Sequence, residues 1–280
     1  GSLQYNVIDH FVWDGPVNRS ALEHALKSLI ERHQILRTTI VVENEKPVQV
    51  IKDTYPLPLT VYDFSSAKLD DLQALVNQVA VKEKDTLFDL SEDLNLRVNC
   101  IGLPDNKVLI LYAIHHIACD GWSMKIFRDE LTAIYIAFCS GGVNPLSPLK
   151  IQYSDYAVWQ RNWLTGGVLD QQLAFWKKQL SGAPAVHRLP LDNARPEKVS
   201  YKGRAYRQFF DKELTLEIKT QCAKHGVTLF MFAQTMYSIL LARYSGEIDI
   251  VMGTPIAGRT HKDVEPVIGF FINSLVLRTH

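Results

Sequence analysis

Two adjacent histidines, His115 and His116, follow an apolar run from Val108 to Ile114. A neutral imidazole can accept a proton near neutral pH, or it can hold an attacking amine or hydroxyl by a hydrogen bond. Successive side chains of a strand point to opposite faces, so only one of the two rings is expected to face a given cavity. One histidine is therefore a candidate for chemistry, and a core histidine satisfied by the backbone is the alternative.

Asp120, Gly121 and Ser123 follow the pair and indicate a tight turn that leads into a helix. Gly121 can adopt dihedral angles in this turn that other residues avoid. Ser123 is expected at the helix start, since it lacks the G-x-S-x-G context of a nucleophile. Asp120 can orient His116 or form an ion pair that holds the loop, and we favour the ion pair because the turn can aim the carboxylate away. The candidate partners are Arg32, Arg37, Arg259 and Arg278.

Other chemistries fit these residues less well. A metal site would need both histidine rings to converge, which a strand forbids, and no third ligand lies at helical spacing. Cys119 could act as a nucleophile with His116 as its base, but its apolar neighbours indicate no stabilised thiolate. The glycines from Gly253 to Gly258 lack the GK[ST] ending of a phosphate loop. We therefore expect no metal and no cofactor bound by the chain itself.

Alternating and helical patterns predict the elements that position these residues. Strands at 96–101 and 107–114 form a hairpin whose second strand ends at the histidine pair. Apolar residues at intervals of three or four predict a helix from Met124 to Gly141, and another from Asn18 to His33 with Asn18 and Ser20 as candidate N-caps. Further helices are predicted at 69–81, 153–159, 169–180, 213–225 and 228–244. Further strands are predicted at 38–42 and 48–51, which form a second hairpin, and at 206–210, 248–252 and 268–278.

Composition and length narrow the classes of protein. The 280 residues suffice for two lobes with separate cores, and the Pro-containing stretch 181–202 predicts a linker between lobes at 1–180 and 203–280. Thirty Lys and Arg balance thirty Asp and Glu, and no apolar run reaches the ~18 residues of a membrane span. Neither nucleic acid nor a membrane is therefore expected as a partner. Four scattered cysteines without a C-x-x-C pair favour a reducing, cytoplasmic setting.

The pattern His115-His116-x-x-x-Asp120-Gly121 resembles the signature of the condensation domains of nonribosomal peptide synthetases. Four further stretches resemble that family's motifs in the same order: Arg32 to Thr38, Tyr153 to Trp159, Gly253 to Arg259, and Ile268 to Ser274. Together they extend from one end of the chain to the other. The family's first motif is absent and the family continues beyond Arg278, so we expect the chain to be incomplete at both ends.

The resemblance implies a fold and an activity. It implies two α/β lobes like chloramphenicol acetyltransferase, with mixed sheets and helices, arranged as a V around an active-site tunnel. Residues 1–180 would be the first lobe, which carries the histidine motif, and 203–280 the start of the second. The implied activity is acyl transfer that forms a peptide bond in antibiotic or other secondary metabolite biosynthesis. Upstream and downstream carrier proteins would present the substrates on phosphopantetheine arms, with an adenylation domain adjacent.

The resemblance also assigns roles to residues. The second histidine of the family's motif is the essential one, which corresponds to His116, either as a general base or as the group that positions the amine. Supporting roles would fall to His115, Asp120, Gly121, Ser123, Arg37, Arg259 and Arg278. The form of 120–123 and 271–274 resembles the class that joins two L-residues, and the intact pair argues against heterocyclisation. Two alternatives remain open: a non-catalytic docking module, and an acyltransferase that uses a free amine or alcohol.

Overall fold

The computed structural model describes residues 2–198, 200 and 203–280. Its helices are α1 Arg19–Arg32, α2 Leu69–Asp85, α3 Gly121–Cys139, α4 Tyr153–Trp163, α5 Gly166–Gln179, α6 Lys212–Lys224 and α7 Leu229–Ser245. Its strands are β1 Asn6–Asp14, β2 Thr38–Glu43, β3 Lys46–Ile51, β4 Leu59–Asp63, β5 Leu96–Leu103, β6 Lys107–His115, β7 Ile250–Ile256 and β8 Asn273–Thr279. These mixed helices and sheets agree with the predicted α/β class.

Most predicted elements are confirmed, but one strand is wrong and one is shorter than expected. The predicted helices are present, and β2–β3 and β5–β6 form the predicted hairpins. Residues 206–210 are irregular, with Tyr206 88% and Phe209 89% exposed, because aromatic residues favour a strand only where a sheet receives them. The predicted buried strand 268–278 begins only at Asn273 and is partly exposed. Strands β1 and β4 were not predicted.

A sheet with the strand order β1-β6-β5-β4 carries the histidine pair. Strand β6 lies inside this sheet and pairs antiparallel with both β1 and β5. Its side chains alternate: Ile110, Tyr112 and Ile114 pack with the cluster of α1 and α3, whereas Leu109 and Leu111 pack with α2. The run before the pair is therefore a strand buried on both faces, as predicted.

Contacts divide the chain into two compact units. The first consists of Gly1–Thr165 and Ala257–Asn273, and the second of Gly166–Ile256 and Ser274–His280. This division differs from the predicted lobes 1–180 and 203–280, because residues 166–180 group with the second unit and 257–273 with the first. Residue 1 of the predicted first lobe, and residues 199, 201 and 202 of the linker predicted at 181–202, lie outside the described residues. The division into two lobes stays a prediction.

The second unit contains α5, α6 and α7 together with most of the two-stranded sheet of β7 and β8. Within it, His187 contacts the carboxylate of Glu247 at 2.8 Å and the backbone of Val251. In the part of the chain that the structure describes, no single helix is long and apolar enough to cross a membrane. Helices α6 and α7 are long and apolar enough only if they are counted as one segment, and the chain bends by 104° at the break between them.

Candidate active site

The backbone of the histidine pair is held by residues on both sides. His115 is the last residue of β6 and its N–H donates to the carbonyl of Asn95 at 3.1 Å. The N–H of His116 donates to the carbonyl of Tyr5 at 2.8 Å, directly before β1. The residues that directly precede β5 and β1 therefore fix the backbone that carries the two rings.

Hydrogen bonds assign opposite tautomers to the two rings. His116 Nδ1 lies 2.6 Å from the carbonyl oxygen of Cys119, and because a carbonyl can only accept, Nδ1 carries the proton. His115 Nδ1 accepts from the backbone N–H of Ile117 at 3.1 Å, so in the neutral ring Nε2 carries the proton. Neutral His116 therefore presents Nε2 as an unprotonated acceptor, and Nε2 has no hydrogen bond within the described residues. This atom is the candidate base.

A cavity of about 430 Å³ opens beside the pair, and its lining consists of Tyr5, His115, His116, Ile117, Phe270 and Ile272. Both rings border it, so the prediction that only one would face a given cavity is wrong; strand alternation ends with β6 at His115. His115 is 8% exposed and packs edge-on against Phe88, whereas half-buried His116 meets the edge of Phe270 at 5.2 Å. Burial, and then the neighbouring His116, lower the pKa of His115.

Asp120 and Ser123 form a buried hydrogen-bond network at the start of α3. Asp120 is the N-cap residue, and its Oδ1 accepts from Ser123 N–H at 2.8 Å. The hydroxyl of Ser123 accepts from Arg259 at 2.9 Å and from Gly269 N–H at 3.1 Å. Its single proton is shared between Asp120 Oδ1 and the Gly269 carbonyl, each at 2.8 Å. The other Asp120 oxygen accepts from Phe271 N–H at 3.1 Å.

Arg259 is the partner of Asp120. Its side chain is 1% exposed, and its Nη2 lies 3.1 Å from Asp120 Oδ1. Its Nη1 donates to the carbonyls of Val264 and Val267 at 2.6 and 2.7 Å, and the guanidinium stacks over Phe271 at 4.1 Å. The network therefore ties the segment 259–271 to the loop that follows the histidine pair.

Two glycines allow this close approach. Gly258 has a positive φ of 66°, and a Cβ there would overlap the carbonyl of Phe271. A Cβ at Gly269 would overlap the ring of Tyr153. The path of the backbone on both sides of Phe270 thus depends on residues without side chains.

The remaining predicted site residues lie elsewhere or behave differently. Gly121 is the first residue of α3, has no positive φ, and has open space around a Cβ, so it does not use the dihedral angles that only glycine allows. Arg37 donates to the carbonyl of Lys52 at 2.7 Å. Arg278 pairs with Asp249 at 2.7 Å in the second unit. Arg32, the other candidate partner, pairs with Glu130 at 3.0 Å.

The thiol of Cys119 and the hydroxyl of Ser123, the two alternative nucleophiles, are both buried. Cys119 is 0% exposed, and burial raises the pKa of its thiol, which disfavours the thiolate. Ser123 is also 0% exposed and its hydroxyl is fully engaged. Cys119 acts instead through its backbone carbonyl, which binds His116.

The apolar wall of the cavity was missed. Phe270 and Ile272 lie inside a motif of the resemblance that assigned them no role, and that motif was the available signal. Ile117 likewise lies inside the histidine motif, whereas Tyr5 carried no such signal, because an aromatic residue beside a strand indicates packing as readily as binding. Tyr5 borders the cavity because it directly precedes β1, which pairs with β6, and Ile117 borders it because it directly follows the histidine pair.

Comparisons with known proteins identify relatives. The sequence model of the family described as "Condensation domain" matches residues 1–280. One of the linear gramicidin synthase proteins of Brevibacillus parabrevis is 41% identical over 278 residues, which cover 99% of this chain and 5% of that protein. The chain therefore spans only a small part of that relative.

Solved structures share the fold. A chain in the complex of the X-domain and OxyB from teicoplanin biosynthesis matches with a TM-score of 0.84 and 29% identity, over 98% of this chain and 60% of that chain. The first condensation domain of the calcium-dependent antibiotic synthetase, in complex with substrate analogue 2a, matches with a TM-score of 0.77 and 20% identity, over 99% and 64%. The predicted chloramphenicol-acetyltransferase-like fold class is thereby confirmed, while the V and its tunnel stay predictions.

Proposed function

We propose, since this chain belongs to the condensation-domain family, that it transfers a donor acyl or peptidyl group from one carrier-bound thioester to the amine of an aminoacyl group on a second carrier. The observation that carries this proposal is that Nε2 of His116 has no hydrogen-bond partner within the described residues and lies beside a cavity, while Nδ1 is held by Cys119. A fixed ring with one free basic nitrogen suits a reaction that must orient an amine and remove its proton.

The proposed reaction is as follows. The acceptor amine attacks the thioester carbonyl carbon, a C–N bond forms, and the C–S bond breaks. The proton lost by the amine ends on the departing thiolate. His116 Nε2 accepts the hydrogen bond of the attacking amine, and either takes its proton or only holds it in line. The buried Cys119 and Ser123 take no covalent part, so the transfer is direct.

The proposal includes partners that the chain itself does not contain. Upstream and downstream carrier proteins would bring both substrates on phosphopantetheine arms, beside an adenylation domain in a cytoplasmic synthetase. The support is the relationship to a linear gramicidin synthase protein and the intact motif of His115, His116 and Asp120. We retain the class that joins two L-residues as part of the proposal.

A second candidate is a docking module without catalysis. It is favoured by the likeness to a structure in which an X-domain forms a complex with OxyB. The free Nε2 of His116 favours the catalytic proposal instead, because docking alone needs no oriented base.

The test replaces His116 and measures product from loaded donor and acceptor carriers. His116→Ala should lower turnover by about 10²- to 10⁴-fold, because base and positioning are both lost. His116→Gln keeps a hydrogen-bond acceptor without basicity, so partial activity would support positioning and activity as low as that of His116→Ala would support a general base. The matched control is His24→Ala. His24 is an exposed residue of α1, so this substitution should leave turnover unchanged.

Each other outcome has a distinct meaning. Near-normal turnover of His116→Ala would remove His116 from the reaction. Carrier binding without product from the unchanged protein would favour the docking module. Product formed with a free amine or alcohol and only one carrier would contradict the two-carrier reaction.

A further inference from the structure

The cavity beside His116 has walls that suit a particular class of substrate. We infer that Tyr5, Phe270 and Ile272 form a side-chain pocket for the acceptor residue, and that this pocket selects an uncharged, apolar side chain. The inference rests on the proposed function, and it goes further by naming the residues that would discriminate among acceptors.

The lining favours apolar groups. Its six residues are Tyr5, His115, His116, Ile117, Phe270 and Ile272, and this described lining includes no carboxylate, ammonium or guanidinium. Its volume of about 430 Å³ lies in the range of ordinary small-ligand sites. A charged side chain that entered would lose water without gaining a counter-ion, which is strongly unfavourable.

The acceptor is nearer to the pocket than the donor. In an aminoacyl acceptor, the amine that meets His116 Nε2 and the side chain are attached to the same carbon. The donor side chain lies one bond further away, beyond the carbonyl carbon under attack. Because His116 itself borders the cavity, the acceptor side chain is the group that can enter it while the amine stays at Nε2.

Phe270 is held in place from both sides and from its own backbone. Gly269 binds Ser123 through both its N–H and its carbonyl, Phe271 N–H binds Asp120, and the Tyr153 hydroxyl donates to the Phe270 carbonyl at 2.9 Å. The Phe270 side chain nevertheless remains 38% exposed and lies edge-on to His116. A fixed backbone that presents a free aromatic ring is suited to select side chains by fit.

The experiment compares acceptors on one carrier with a constant donor. Leucyl, phenylalanyl, aspartyl and lysyl acceptors are each tested with the unchanged protein. The kcat/KM for the leucyl acceptor should exceed that for the aspartyl acceptor by about 100-fold. Phe270→Lys should narrow this ratio to about tenfold or less, because the new ammonium supplies a counter-ion. Phe270→Ala should weaken discrimination between leucyl and phenylalanyl acceptors by enlarging the pocket.

Controls separate the pocket from folding and from the chemistry. Phe138→Ala removes a phenylalanine of similar exposure, 40%, outside the cavity and should leave the acceptor ratios unchanged. Ile272→Lys places the same charge at a second position of the cavity wall and should narrow the leucyl-to-aspartyl ratio in the same way. If one of the two lysine variants folds poorly, the other still provides the test. Equal use of all acceptors by the unchanged protein, or a leucyl-to-aspartyl ratio that neither Phe270→Lys nor Ile272→Lys changes, would overturn the pocket while leaving the proposed function intact. No amide from any acceptor would overturn both.

Discussion

His116 and Asp120 lie in one short loop, yet their polar atoms are satisfied in opposite ways. Asp120 is 3% exposed, and its carboxylate accepts hydrogen bonds from Ser123, Phe271 and Arg259. His116 is half-buried, and its only side-chain hydrogen bond within the described residues joins Nδ1 to Cys119. The loop therefore contains one group that is saturated and one that keeps an atom free.

The difference separates stability from reactivity. A buried group whose partners are complete contributes to the free energy of unfolding, and removing a partner leaves a costly unpaired charge or donor. A group with a free nitrogen beside a cavity contributes little to folding but can act on a substrate. Substitutions of Asp120 and its partners should therefore change the free energy of unfolding, and substitutions of His116 should change the rate of the proposed reaction.

The largest expected effect on stability is that of Arg259→Met. It leaves the Asp120 carboxylate buried without its ion pair, and should lower the free energy of unfolding by about 3–5 kcal/mol in urea titrations. Arg128→Met is the matched control: the Arg128 side chain is 44% exposed and its pairing with Asp129 is a surface contact. We expect a loss below about 1 kcal/mol for this control.

A double variant checks the cause. Asp120→Asn combined with Arg259→Met removes the buried charge together with its partner, so it should unfold less readily than Arg259→Met alone. Equal or greater destabilisation in the double variant would show that Asp120 is not left as an uncompensated charge, and the contrast with His116 would fail.

Ser123→Ala should have a smaller effect of the same kind. It leaves Gly269 N–H buried without an acceptor, whereas Arg259 and Asp120 keep each other. We expect a loss of about 2 kcal/mol in the free energy of unfolding. Ser20→Ala, at an exposed position of α1, should cost less than about 0.5 kcal/mol. Equal losses for the two serines would mean that the network does not fix the segment around Gly269.

Local patterns predicted most of the fold around this loop. The helix from Arg19–Arg32 follows from its apolar spacing, and Asn18 accepts from Ala21 N–H as an N-cap should. The hairpin of β5 and β6 follows from a short polar turn between two apolar runs. Such features depend on neighbours in the sequence, so the sequence alone carries them.

Features that depend on distant partners could not be predicted in the same way. Four arginines were equally good partners for Asp120, and Arg259 is separated from it by 139 residues. Strand β1 was missed because its partner β6 lies far along the chain, and the cavity wall at Tyr5 was missed with it. The strand predicted at 206–210 failed for the converse reason: its local pattern has no described partner strand.

His33 extends the contrast to pH, with a smaller effect. Its Nδ1 accepts from Ile268 N–H and its Nε2 lies 2.7 Å from Glu130, so the buried ring is neutral. Burial lowers the pKa of His33, Arg32 and Arg259 act in the same direction, and Glu130 opposes them. The unfolded chain binds this proton near pH ~6.5. The contribution of neutral His33 to the free energy of unfolding is therefore present above that pH, and it is lost as the pH falls towards the lowered pKa.

Urea titrations at several pH values check this sign. Between pH ~6.5 and ~5.5 the unchanged protein should lose up to about 1.4 kcal/mol more than His33→Gln does. His187 gives the opposite case, because the hydrogen bond with Glu247 raises the pKa of His187. Its contribution is present below pH ~6.5 and is lost as pH rises through the raised value. His187→Gln should therefore change the pH dependence of the unfolding free energy in the opposite direction to His33→Gln, and the same change in both variants would contradict the assignment.

The smallest expected effect on stability is that of His116→Ala. The substitution removes the hydrogen bond to Cys119 and the edge contact with Phe270, so the free energy of unfolding should fall by only about 1 kcal/mol. His24→Ala, which removes an exposed ring stacked on Phe138, should cost a similar or smaller amount in the same thermal and urea titrations. A loss above about 3 kcal/mol would place His116 with Asp120 among the saturated groups, and the free nitrogen would no longer explain why His116 differs.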